Sequence, residues 1–98
     1  MKKITQQAVE AFNNSKKFKK SNMEVEVLQN VTALKLFGNE IAYRYNDPNR
    51  TLSITAAGWM TNTTKERLNG LQGVHIKQKN YKWFLNGQEW DGELIDVN

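Results

Sequence analysis

The sequence predicts an α+β fold, a mostly antiparallel sheet with two short helices in the order α-β-β-β-β-α-β-β, with residues 1–98 as one domain. Three features predict it. Four short runs between Met23 and Ala56 alternate apolar and polar residues with a period of two, and turn residues separate them at close intervals. Two further segments carry helical spacing or a helix-start signal instead. The chain has 98 residues, and a chain of that size buries only about two-thirds of its unfolded surface, enough for one modest core.

The elements follow in order. Ile4, Ala8, Val9 and Phe12 recur at helical spacing, so residues 5–13 read as an amphipathic helix with Thr5 as its N-cap. Asn13-Asn14-Ser15 ends it. Residues 16–22, Lys-Lys-Phe-Lys-Lys-Ser-Asn, read as a basic loop holding one aromatic. Met23, Val25 and Val27 alternate with Glu24 and Glu26 in the first strand. After Gln29-Asn30, residues 31–37 form the second, with Leu34 and Leu36 inward. Gly38-Asn39 has the composition of a hairpin turn. Ile41, Tyr43 and Tyr45 alternate with Ala42 and Arg44 in the third strand, and Asn46-Asp47-Pro48-Asn49 turns the chain. Leu52, Ile54 and Ala56 alternate with Ser53 and Thr55 in the fourth.

Thr63-Thr64-Lys65-Glu66 then fits a capping box, with Thr63 as N-cap and Glu66 at the third helical position. Leu68 and Leu71 share a face, and Gly70 or Gly73 stops this second helix. Val74 and Ile76, then Tyr81, Trp83 and Leu85, form a hairpin that turns near Lys79-Asn80. Asn86-Gly87 turns again, and residues 93–97 suit a last edge strand.

Composition narrows the chemistry. There is no cysteine and a single histidine, His75, so disulfides, thiolate metal sites and multi-histidine zinc sites are excluded. No apolar stretch approaches the roughly 20 residues of a membrane span, and the basic N-terminus lacks the apolar core of a secretory signal. A cytoplasmic location is expected. No nucleophile elbow, Walker loop or dinucleotide fingerprint is present, so a non-enzyme without a cofactor is expected. The net charge of +4 is unevenly spread. Residues 1–20 carry six lysines against Glu10, whereas residues 89–98 carry Glu89, Asp91, Glu93 and Asp96 and no base. A basic bias attracts polyanions, and the acidic end is placed to fold back and offset it.

Four segments are candidate contact sites. Lys16, Lys17, Lys19 and Lys20 surround Phe18, a pattern that suits phosphates plus base stacking or, equally, a solvated loop whose Phe18 enters the core. With a turn at Lys79-Asn80, Lys77 faces Lys82 and His75 faces Phe84, which puts all four on one sheet face. The alternative is an ordinary solvated face. Lys65 and Arg67 flank a helix start that is suited to anions or explained by capping alone. Trp83 is expected in the core and Trp90 partly exposed.

The segments Ile4-to-Phe12 with Phe18-Lys19-Lys20-Ser21-Asn22, Leu36-Phe37-Gly38-Asn39-Glu40-Ile41-Ala42, Ala57-Gly58-Trp59 with Thr63-Thr64-Lys65-Glu66-Arg67-Leu68-Asn69, and Trp83-Phe84-Leu85-Asn86-Gly87 with Trp90-Asp91-Gly92 together resemble a set of small accessory proteins of tailed bacteriophages. The resemblance covers nearly the whole chain. It implies a factor in the host bacterial cytoplasm that binds and blocks a host enzyme or defence system, and no functional residues carry over from it. The expected partner is therefore a host or defence protein, with a basic face contributing; the alternative, which rests on the basic segments and not on the resemblance, is single-stranded or structured nucleic acid. A homo-oligomer is compatible with both.

Overall fold

The computed structural model describes residues 1–97. Helix α1 (Lys3–Asn13) buries Thr5, Ala8, Val9 and Phe12, a stripe spaced three and four apart. It starts before the expected cap. Lys2 is the N-cap and makes no side-chain cap, while Thr5 is fully buried within the helix. Left-handed Ser15, at φ 51°, ends the helix, and the Lys16 N–H bonds the Ala11 carbonyl at 2.9 Å.

Five strands follow: β1 (Phe18–Lys20), β2 (Met23–Val27), β3 (Val31–Leu36), β4 (Asn39–Tyr45) and β5 (Leu52–Ile54). Helix α2 (Asn62–Leu68) leads to β6 (Ile76–Lys79), β7 (Lys82–Leu85), β8 (Gln88–Glu89) and β9 (Ile95–Asp96). The predicted α+β order is present as α1, β2 to β5, α2, β6 and β7, and β9 lies in the expected edge segment. Strands β1 and β8 are additions. The basic segment expected as a loop is partly a strand, because Phe18, Lys19 and Lys20 pair with Val25, Glu24 and Met23.

All pairing is antiparallel, in a six-stranded sheet ordered β1-β2-β3-β4-β5-β9 and a three-stranded sheet β6-β7-β8. One register row of the large sheet reads Phe18, Val25, Leu34, Ala42, Ile54 and faces the helices. The next row, on the other face, reads Lys19, Glu24, Lys35, Glu40, with signs alternating from strand to strand. Lys35 also reaches Glu26 at 3.6 Å. On the same face the Tyr43 hydroxyl donates to Glu40 at 2.9 Å. Its pKa is pushed up to about 12 by burial, then by that bond and the Glu40 charge, with a smaller push from Tyr45.

Ile41 breaks the alternation expected in this region. Leu34 pairs with Ala42 but Lys35 pairs with Glu40, so Ile41 is an extra, bulged residue and both Ile41 and Ala42 are buried. The bulge sends Tyr43 and Tyr45 to the outer face and Arg44 inward, 5.9 Å over the Phe12 ring.

The small sheet joins the same core through Ile76, Trp83, Leu85 and Trp90. The Trp83 and Trp90 rings are 6.2 Å apart, and the Trp90 indole N–H donates to the Glu93 carbonyl at 2.9 Å. Trp90 is thus 6% exposed, which corrects the expectation of a partly open ring. Its acidic neighbours stay in solvent while the ring turns inward.

Gly70 lets the two helices meet. A Cβ at this position would lie 2.7 Å from Thr5 Cγ2 and 3.2 Å from both the Arg67 carbonyl and Val9 Cγ2. Gly70→Ala is expected to lower stability by about 1–3 kcal/mol through overpacking. Urea unfolding measures it, and an unchanged midpoint would show that α1 yields at no cost.

Candidate functional site

Three two-residue hairpin turns place both central residues at positive φ: Phe37-Gly38 (51° and 79°), Asn80-Tyr81 (53° and 65°) and Asn86-Gly87 (50° and 90°). Asn-Gly suits such a turn because both residues tolerate left-handed backbone. The third turn has that composition. The other two each replace one of those residues with an aromatic, at a cost of about 1 kcal/mol or more. Burial does not recover that cost, because Phe37 is 71% exposed and Tyr81 96% exposed. Both turns also sit one residue away from the expected positions, since Gly38-Asn39 and Lys79-Asn80 were the predicted centres.

Phe37 lines a cleft of about 450 Å³ between the β3–β4 turn and the β5–α2 loop. Leu36, Ile41 and Ala56 supply its apolar lining, and Trp59, 60% exposed, also lines it. Asn39, Thr61 and Thr63 supply polar groups to its lining, and buried Thr64 adds a fourth. The loop bearing Trp59 is held at both ends. Ala57 and Gly58 turn it with φ of 53° and 83°, and Thr61 caps α2 by accepting the Thr64 N–H at 3.1 Å. The N-cap is therefore Thr61 rather than the expected Thr63. The Gly92 carbonyl accepts the Ala56 N–H at 2.8 Å and the Thr55 hydroxyl at 3.1 Å. Gly92 also seats Met60, whose sulfur occupies the space a Cβ would take. An apolar cleft with a few polar groups and two exposed aromatics in its lining suits the side chain of a partner.

The sequence-derived candidates divide. Lys16 and Lys17 are exposed between α1 and β1, but pairing sends Lys19 and Lys20 to opposite faces of the large sheet. Lys19 pairs with Glu24, and the Lys20 ammonium donates to Gln7 on α1 at 3.3 Å. Phe18 packs against the core, so it is no stacking platform.

Arg67, expected at an anion site, is 4% exposed. Its guanidinium bonds Thr5 at 3.0 Å, Asn22 at 3.3 Å and the Glu66 carboxylate. Glu66 does not close a local capping box. It accepts the Thr5 hydroxyl at 2.6 Å and the Lys2 N–H at 3.2 Å, and so caps α1 from the other helix. Partial burial pushes the Glu66 pKa up, but the bonds from Thr5, Arg67 and Lys2 and the Arg67 charge outweigh it and hold the carboxyl below its ordinary range. The capping pattern was legible because Thr and Glu favour helix starts. Its partners were not, because they are more than 60 residues away in the chain.

Lys77, Lys82 and Phe84 do share one face, with exposed His75 next to β6 and Lys79 joining them. Lys77 is paired with Phe84 rather than Lys82, and Lys82 with Lys79, because the turn is Asn80-Tyr81. Lys65 reaches Gln78 at 3.2 Å from α2. The cleft residues Phe37 and Trp59 were not singled out from the sequence. A bulky residue before Gly38 at a tight turn was the available signal.

Among the described residues no helix is long and apolar enough to cross a membrane. No curated protein and no solved structure matches the chain. A family model described as Kyanoviridae Gp96 protein matches residues 1–96. That span takes in both helices, both sheets and the cleft, and the chain belongs to this phage protein family, the Kyanoviridae Gp96 proteins.

Proposed function

We propose that this phage protein is a non-enzymatic accessory factor that binds and blocks a host or anti-phage defence protein, with the Phe37–Trp59 cleft as its anchor. One observation carries the reading: two large aromatics stand exposed on the walls of an apolar cleft, one of them in a strained turn. Exposed Trp and Phe beside a pocket are the side chains that concentrate binding energy at protein interfaces. The accessible surface is 6223 Å², and a standard interface covers about 800 Å² per partner. Docking at the cleft therefore engages roughly an eighth of the molecule. The lysines flanking α1 and on β6–β7 add attraction toward an acidic partner and raise the rate of encounter.

Affinity capture from nuclease-treated bacterial lysate tests this reading. A stoichiometric protein, retained after nuclease treatment and inhibited on adding the purified chain, is the expected result. Recovery of nucleic acid alone, or turnover of a substrate by the chain itself, overturns it.

A further inference from the structure

We infer that the outer face and tip of the β6–β7 hairpin form a separate binding site for single-stranded nucleic acid. This surface shares no lining residue with the cleft, and its role does not depend on the cleft's.

The register builds the site. Lys77 lies opposite Phe84 and Lys79 opposite Lys82, which places three exposed lysines around one half-buried ring. Two lysines directly opposed on a strand pair repel each other, and an anion between them removes the repulsion. The partner the structure shows for this group is Glu89, which lies across from Phe84 and 3.8 Å from Lys82. Both members of that bridge are mostly solvated, so it neutralises little. Strand rise of about 3.3 Å per residue separates Lys77 and Lys79 by roughly 6.6 Å, comparable with the distance between successive phosphates in an extended strand.

Tyr81 supplies the second half of the site. It projects from the tip with 96% of its surface exposed, at a φ of 65° that glycine would occupy more easily. Its flanking residues are Lys79, Asn80 and Lys82, so the ring stands among groups that hold a phosphate backbone. An aromatic in that setting stacks on an unpaired base. A duplex hides its base faces, so single strands fit better. A lipid surface fits less well, because the tip has one ring and no aliphatic side chain to bury.

Fluorescence anisotropy tests the site with labelled mixed-sequence DNA and RNA single strands of about 15 nucleotides, near the upper site size of small single-strand binders. The matching duplexes and phosphatidylserine vesicles serve as comparison arms. The full chain is expected to bind at least one type of single strand. The slope of log affinity against log salt should be about −2, as three phosphate contacts require. The triple change Lys77→Gln, Lys79→Gln, Lys82→Gln should abolish measurable single-strand binding at every salt concentration. Tyr81→Gly should weaken single-strand binding about tenfold, leave duplex binding unchanged and not lower the thermal midpoint. Absence of single-strand binding at low salt, binding that survives both variants, or stronger attachment to vesicles than to oligonucleotides overturns the inference. The lysine variants alter only exposed side chains, so they decide the matter even if Tyr81→Gly unfolds.

Discussion

Glu66→Ala is expected to lower the stability of the fold by about 3 kcal/mol, toward the low end for breaking a buried ion pair because Glu66 itself is only partly buried. For a chain of this size that is a fall in thermal midpoint of roughly 15 °C. The reason lies with Arg67. Its guanidinium is buried between the helices, its Nε has no hydrogen-bond partner among the described residues, and Glu66 supplies the countercharge. Without the carboxylate, a buried cation loses its charge compensation, and the Lys2 N–H and Thr5 hydroxyl lose their acceptor. Arg67→Met with Glu66→Gln removes both charges and is expected to be milder than Glu66→Ala alone. Calorimetry of the three proteins checks the order, and a double variant less stable than Glu66→Ala would falsify it.

The same carboxylate sets the acid response. Glu66 is more acidic folded than unfolded, so its ionised form stabilises the fold above the ordinary glutamate range. That contribution is lost as the pH falls through the depressed folded value. Asp47, held low chiefly by its bonds from Thr51, acts with the same sign. Urea midpoints should stay level from neutrality to about pH 5 and then fall. Glu66→Ala should fall less steeply and keep the share due to Asp47. A midpoint that rises on acidification would contradict both assignments.

Phe37→Asn combined with Trp59→Ser is expected to lose partner capture while keeping or raising the thermal midpoint. The Phe37→Asn change places an Asn-Gly pair in the β3–β4 turn and relieves about 1 kcal/mol of left-handed strain. Trp59 is mostly exposed, so its removal takes little from the core. Loss of an aromatic anchor typically costs about 2 kcal/mol or more in binding, about 30-fold in affinity. Opposite movement of stability and binding separates a docking surface from a packing role. If capture persists at wild-type strength, the cleft is not the anchor. If the variant unfolds, the aromatics serve the fold.

Fold class and most of the element order were legible in the chain alone. Period-two alternation in β2 and the spacing of Ala8, Val9 and Phe12 are local consequences of backbone geometry, readable residue by residue, whereas the bulge at Ile41 is not. The same alternation placed Lys77, Lys82 and Phe84 on one face despite a misplaced turn, because moving the turn by one residue changed the partners but kept the pattern.

Which charges remain available was settled by long-range packing. Packing across the helices enclosed Arg67, and entry into the shared core enclosed Trp90. Packing also brought Phe37 and Trp59, far apart in the chain, to the lining of one cleft. Those outcomes depend on contacts between distant segments, and the free energy of such contacts is not written in any local pattern.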